Sequence, residues 1–411
     1  MTTQELIRAN NQRPVRRCYI KRKLATDGSY ETEWLQINTI DGKSKVLKWG
    51  TVTLEIDAQE GRIGGFNISG VTMSFDNSEG LFNSELDPRS IWAKDSLYLN
   101  RKYTKLKIVC GYLDEDNVET GVTTVFEGVI DSVKTGDDQK ASVKCLSYQS
   151  ILKGYDISDL ALTGTKTINQ IVDLITNQTK ITTFIPFVAA AADQNADITD
   201  SSLLEGTYWD VLTALAYKSA SVPLLDGTIW TFTTREASAS SVFDFIGKGT
   251  RGSSDIIKIN QYDDGDSKVK VNWIVDGTNI QAQTTDPLLQ KKYLDEPEII
   301  NLDDVDTTPQ KQAIVDELLS QWENPKPILD FTTRFFINIL KPTDKITISL
   351  SGQTVPVDTF LWGSFSWGDG SKWGKKIGSI IISATDGFMI TRVSKDIDSY
   401  TFKIRCEKIP A

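Results

Sequence analysis

Carboxylates are the only abundant side chains in this chain that could carry acid–base chemistry: 55 Asp and Glu stand beside 45 Lys and Arg, with no histidine. The missing imidazole excludes Ser-His-Asp and Cys-His nucleophile systems, HExxH metal sites and the usual zinc ligand sets. Paired carboxylates flanking a glycosidic bond stay open, but so many acidic residues always supply candidate pairs, so their presence selects nothing. The acidic runs at 263–266, 114–117 and 303–306 lack the D-x-[DN]-x-[DN]-G spacing with a distal Glu and are expected as solvated turns rather than calcium loops. The glycines of Glu60-Gly-Arg-Ile-Gly-Gly-Phe66 fit neither a dinucleotide fingerprint nor a phosphate-binding loop. Cys18, Cys110, Cys145 and Cys406 form no Cys-x-x-Cys pair and are expected as small buried thiols. No catalytic residue, metal ligand or cofactor site is assigned, and the chain is expected not to be an enzyme.

What remains is binding. Arg13, Arg16, Arg17, Lys21, Arg22 and Lys23 form a basic cluster in a chain of net charge −10. Two readings fit it: an arm that docks on an acidic neighbour, or an edge strand kept from aggregating by its charge. Trp362, Trp367 and Trp373 recur between Gly, Ser and Asp residues. Exposed, they would stack on sugar rings; otherwise they anchor a loop or fill a subunit interface, the reading favoured by the flanking turn glycines. The candidate interface residues are therefore Arg13, Arg16, Arg17, Arg22, Trp362, Trp367 and Trp373.

These residues must be positioned by ordinary globular elements. Hydrophobic residues make up 39% and charged residues 24%, which argues against extended disorder, and 411 residues are enough for two to four cores. No apolar run is long enough to span a membrane, no secretory signal is visible, and synthesis in the cytoplasm is expected. The acidic balance is the reverse of what a free nucleic-acid binder needs.

Period-2 runs rich in Val, Ile, Thr and aromatics predict strands at 51–57, 71–75, 105–112, 123–133 and 140–146, the last two forming a hairpin. The middle of the chain changes period. Ile168, Ile171, Val172 and Ile175 share one helix face, as do Trp209, Leu212, Leu215 and Ala216, with Thr207 and Asp210 as a capping box. An Asp-Gly turn follows inside Pro223–Phe232. Strands return at 268–275, 328–336, 345–350, 377–383, 388–393 and 400–406. A helix over 308–322 interrupts them, opened by Pro309 and ended by Pro325 and Pro327. A short helix is also expected at 5–10. The fold class expected is mainly β with an α+β insert: residues 1–160 and 246–411 as β domains, 161–245 as a small module. An internal echo links Phe126–Cys145 to Phe388–Cys406, each a strand, polar turn and strand, with Val143 and Cys145 sharing a face as Ile404 and Cys406 do.

Several stretches, in order, resemble the baseplate hub (tail-tip hub) proteins of phages and related injection machines. Val71-Thr-Met-Ser-Phe-Asp-Asn-Ser-Glu-Gly-Leu-Phe-Asn83 is similar to their early L-x-N-x-x-G-x-F turn. Thr124-Val-Phe-Glu-Gly-Val-Ile-Asp131 is similar to their F-x-G-x-I strand, and Ala141–Leu152 to the strand after it. Tyr208–Ala216 through Asp226-Gly-Thr-Ile-Trp-Thr-Phe232 resembles their helix and D-G-x-L-x-F turn. Leu340-Lys-Pro-Thr-Asp-Lys-Ile-Thr-Ile348 resembles L-x-P-G-D-x-V-x-I, with Thr343 in place of Gly, and Phe388–Asp396 matches the closing hairpin. The resemblance implies two tube-like β-barrel domains flanking smaller modules. It also implies a homotrimeric ring joining the tail tube and distal tail proteins to a spike or tip protein, with DNA passing through the lumen without specific binding. The place implied is the tail tip or baseplate of the virion. A carbohydrate-binding or host-recognition role and, further off, a tail-associated glycan hydrolase are the alternatives.

Overall fold

The structure, a computed structural model, describes residues 13–56, 65–84, 86–93, 102–114, 116–184, 187–192, 194–226, 229–246, 254–263, 265–294, 296–334, 339–349 and 387–409. Three of the expected features, the helix at 5–10, the strand at 377–383 and the tryptophan run, lie outside the described residues.

The chain is mainly β. A first sheet is built from β1 (Arg13–Lys21), β2 (Leu35–Gln36), β3 (Val46–Lys48), β6 (Val71–Asp76), β7 (Lys105–Leu113), β8 (Glu119–Thr135) and β9 (Lys140–Ser147). Its spatial order is β2-β1-β7-β8-β9-β6-β3. β4 (Thr51–Ile56) and β5 (Phe66–Ile68) are left out of it. Next come helix α1 (Ile168–Thr176), β10 (Phe187–Ala190), helix α2 (Tyr208–Lys218), β11 (Ser221–Asp226) and β12 (Ile229–Thr234), with β10, β12 and β11 forming a small sheet. Both helices carry the residues expected on their buried faces, and both begin in a reciprocal capping box, Thr167 with Gln170 and Thr207 with Asp210.

The second large sheet contains β13 (Ser241–Ile246), β14 (Ile256–Asp263), β18 (Ile328–Thr333), β19 (Lys345–Ser349), β20 (Gly387–Asp396) and β21 (Thr401–Lys408). Between β14 and β18 the chain forms β15 (Asn272–Val275), β16 (Gln281–Gln283), β17 (Glu298–Ile300) and helix α3 (Thr308–Trp322). The strand expected from 268 starts only at Asn272: the Asp263 carboxylate caps the N–H of Gly265, whose φ is +77°, and a 3₁₀ turn follows. Helix α3 has the bounds that its prolines and apolar spacing predict, with Ile314, Val315, Leu318 and Trp322 buried.

The second sheet runs β13-β19-β20-β21-β18-β14 and repeats the first. Four consecutive strands, β6 to β9 and β18 to β21, adopt the same spatial order, third to fourth to first, with the second outside the third. Their registers also coincide. Lys105 faces Val129 as Lys345 faces Met389; Cys145 faces Ile130 as Cys406 faces Ile390; Val143 faces Met73 as Ile404 faces Phe331. Each hairpin is bulged at one place, between Ile130 and Ser132 and between Ile390 and Arg392. The echo in the sequence is thus a four-strand structural repeat. At one corner of each sheet a polar residue bridges stretches that lie far apart in the strand order. Asn38 accepts from the Cys18 N–H while its own carbonyl takes the Lys45 N–H; the Asp255 carboxylate accepts from Ile246 N–H while its carbonyl takes the Arg334 N–H. Neither sheet closes into a barrel among the described residues.

The repeats are interleaved. After β3 the chain turns at Trp49-Gly50, leaves the first sheet and lays β4 along the far half of β20, Thr51 facing Asp396 and Glu55 facing Arg392. Strand β5 then pairs with β4 and is held by the buried Gln149, whose side-chain carbonyl accepts from Ile68 N–H and whose amide donates to Phe66 O. Gly50 makes the exit possible: its φ is +83°, and a Cβ there would lie 2.7 Å from Thr72 O and 3.1 Å from Val71 Cγ2. Left-handed strain plus that clash should cost Gly50→Ala about 2–3 kcal/mol. A lowered urea midpoint with an unchanged slope is the expected result; an unchanged midpoint would show that the exit tolerates a side chain.

Candidate assembly interface

The four candidate arginines in the described residues all lie on or just after β1. This strand pairs with β7 along its whole length, while β2 covers only Tyr19 and Ile20 on its other side. Each arginine has a different partner within the chain. Arg13, exposed, donates to Asp114 O at 3.2 Å. Arg17 is paired with Glu119 at the surface. Arg22 makes a bidentate pair with Glu31 at 2.7 and 3.1 Å, and the Arg22 N–H donates to the same carboxylate. Arg16 reaches across to the second repeat, where it lies 4.9 Å over the Tyr400 ring and donates to Asp398 O at 3.4 Å.

Arg16 thus belongs to a clasp between the two sheets. The turn joining β20 to β21 inserts against the first sheet. Asp398 accepts the N–H groups of Trp49 and Gly50 at 2.8 and 2.9 Å, at the point where β4 departs. Tyr400, at φ +57°, donates its hydroxyl to Gly111 O at 2.5 Å and packs edge-on to Tyr112 with centroids 5.4 Å apart. Burial pushes the Tyr400 hydroxyl pKa well up, so it remains a donor at any working pH.

Sequence reasoning missed a second cluster, on the face of the first sheet away from its core. Lys107 lies 4.2 Å from the centre of the Trp34 ring, and Lys105 lies 4.6 Å from that of Tyr30 and donates to Thr183 O at 2.5 Å. Lys23 sits among the rings of Tyr30, Tyr103 and Phe184. The carboxylate here is Glu127, which accepts from the Tyr148 hydroxyl at 2.7 Å. Burial raises the pKa of Glu127, and burial lowers those of Lys105 and Lys107. The alternation Lys105-Leu-Lys107 shows that the two lysines share a face, but only strand pairing reveals the aromatic residues they meet. Thr183 and Phe184 lie between α1 and β10, so the cluster also fixes that stretch to the first sheet.

No family model matches the chain, and no curated protein matches it. Among solved structures, its fold is similar to that of the tail protein from Neisseria meningitidis MC58, with a TM-score of 0.51 at 11% identity over 95% of this chain and 96% of that one. It is similar too to the 43 kDa tail protein of prophage MuSo2 from Shewanella oneidensis, with a TM-score of 0.52 at 13% identity over 95% and 98%.

The chain shares the fold of these two tail proteins. At this level of identity it is the course of the backbone that is shared, so side chains must be read from this chain alone.

In this tail-protein fold the acidic turns cap backbone. Asp114 accepts from the N–H groups of Asp116 and Val118, and Asn301 and Asp303 bond each other. Among the described residues no three His, Cys, Asp or Glu side chains gather as metal ligands, and no helix is long and apolar enough to cross a membrane. All four cysteines are free, buried and pushed up in pKa by burial, so they are packing groups and not nucleophiles.

Among the described residues, the most deeply buried ion pair joins Arg235, just after β12, to Glu407 on β21 at 2.8 Å, with Lys268 at 3.1 Å from the other carboxylate oxygen. Arg235 and Glu407 are 1% and 2% exposed, so neither charge has water to fall back on. Burial alone would raise the Glu407 pKa, but Arg235 and Lys268 override it and hold the carboxyl at about 2 against an ordinary 4.5. The folded-state pKa is depressed, so the stability it contributes is complete above pH 4.5 and is lost as pH falls through 2. Glu407→Gln should lose on the order of 3 kcal/mol at neutral pH, by removing the buried negative charge that Arg235 and Lys268 both face. Chemical denaturation of both proteins from pH 7 to pH 2 should show the gap closing between those two pKa values; a gap independent of pH would mean the carboxylate is not ionised in the fold.

Proposed function

We propose that the protein is a structural subunit of a phage tail that works by binding other subunits and catalyses no reaction. The observation that carries this reading is the match over 95% of the chain to two tail proteins of nearly the same extent. The finer proposal is a tail-tip or baseplate hub in the virion. Three copies form a ring between the tail tube and distal tail proteins on one side and a spike or tip protein on the other. Duplication supports this. A chain carrying two copies of one four-strand unit can offer six similar surfaces from three subunits, which lets a three-fold object meet a six-fold one. The organisation along the chain, 1–160, 161–245 and 246–411, belongs to the same proposal, with β4, β5 and β13 reaching across those limits into the second sheet.

The net charge of −10 acquires a role in this proposal: a negative lumen lets DNA pass without gripping it. Retention of DNA by the purified ring at physiological salt would remove that part of the proposal.

The assembly test is the mass of the purified protein in native mass spectrometry or sedimentation, where a trimer is expected. Arg13 and Arg17 are the arginines best placed for an outside partner, since Arg13 holds only a surface carbonyl and Arg17 a surface carboxylate. Such surface pairs contribute about 1 kcal/mol at most. Arg13→Glu with Arg17→Glu should therefore melt like the parent while losing the trimer. A trimer that survives both reversals would reduce the basic strand to a solvated edge.

A further inference from the structure

The repeat makes a comparison possible within one molecule. In the second repeat, β20 is bordered twice on the side away from β21: by β19 at residues 387–389 and by β4 at 392–396. In the first repeat, the equivalent strand β8 is bordered by β7 from Glu119 to Val129, and Ile130 still exchanges bonds with Thr104 and Tyr103. Beyond that point, Ser132–Thr135 pairs with β9 alone among the described residues. Among the described residues, the edge that β4 fills in the second repeat thus meets no strand in the first. The turns differ in the same way. Ile397–Tyr400 is clasped by the first sheet, whereas residues 134–140 are all exposed.

The strand that fills the closed edge comes from one particular place. Val46 faces Phe75 and Lys48 faces Ser74, as Ile256 faces Thr333 and Lys258 faces Thr332, so β3 corresponds to the start of β14. The chain runs on from β3 into β4. Its counterpart β14 does not depart but continues along β18, and its other edge meets no described strand. Along that edge Ile257 is 57% exposed, unusual for an isoleucine in a sheet, and Lys258 and Asn260 are also exposed.

We infer that the Ser132–Thr135 edge of β8 in one copy pairs with the outer edge of β14, at Ile257–Asn260, in the next copy, reproducing between subunits the contact that β4 and β20 make within one. This inference rests on the ring proposed above and names its contact. The pairing is heterologous, one edge of one repeat against a different edge of the other, so each copy keeps one of each to offer and the assembly can close. It also covers two open strand edges that would otherwise template aggregation.

The test uses the full chain. Because every native cysteine is buried, Lys134→Cys with Lys258→Cys supplies the only reactive thiols among the described residues, both at exposed positions. A short bis-maleimide should convert the double variant into covalent trimer, and a mixture of the two single variants into dimer, while each single variant alone stays uncoupled. A second variant acts on the backbone. Gly136 N–H bonds inward to Lys140 O, so by the alternation of an antiparallel strand the Thr135 N–H points to the open edge. Thr135→Pro removes that donor and should weaken association at least about tenfold with the melting temperature unchanged. A trimer that neither cross-links nor responds to Thr135→Pro overturns this contact and leaves the ring standing. A wild-type protein that stays monomeric while the assembled tails also fail to cross-link overturns the ring and the contact together.

Discussion

Strand β4 is built by the first half of the chain and used by the second, and the rest of the architecture follows from that exchange. A side chain at position 50 would strain the turn, because its Cβ would run into the carbonyl of Thr72. Once the turn is made, the two N–H groups it exposes, on Trp49 and Gly50, need acceptors. Asp398 from the opposite repeat supplies both. Backbone geometry, hydrogen-bond satisfaction and the position of the β20–β21 turn are therefore one constraint seen from three sides. A consequence is that the two repeats do not separate along the chain: removing the first uncovers the edge of β20 that β4 fills, and removing the second takes the Asp398 acceptor from Trp49 and Gly50.

The repeats agree where packing is symmetrical and part where the chain must go elsewhere. Their four shared strands keep order, register and bulge, and the buried Cys145 and Cys406 occupy corresponding places. The flanking strands differ in direction. β1 runs antiparallel to β7, but β13 runs parallel to β19. The insertion between β14 and β18, with α3 packed on β15 and β16, has no counterpart among the described residues of the first repeat. Lys268 at its start and Arg235 just after β12 both pair with Glu407, which ties two distant stretches to the last strand.

Positive charge is distributed less simply than the basic cluster in the sequence suggests. Of the four arginines there, Arg16 is a structural residue of the clasp and Arg22 is held in a fork by Glu31, leaving Arg13 and Arg17 nearest to solvent. Lys105 and Lys107 of the first sheet are held largely by aromatic rings. Cations over rings give up some hydration without acquiring a fixed counter-ion, and for Lys105 and Lys107 that burial appears directly as a lowered pKa.

What the sequence determined by itself is local. Helix α3 between its prolines, the capping box of Thr207 and Asp210, the faces of α1 and α2, and both closing hairpins were legible because each depends on residues a few positions apart. The β-rich class, the absence of imidazole chemistry and the echo of the two hairpins follow from composition and period. The destination of β4 was not legible. Its alternating burial is the same whichever sheet it joins, and a period of two says which face is inward but not which neighbour is beside it. For the same reason Arg16 reads as one more surface cation until Tyr400, far along the chain, is placed beneath it, and Lys105 and Lys107 read as a solvated face until the rings arrive. Tertiary structure decided these matters because strand pairing is a contact between distant segments, and in the sequence neither segment names the other.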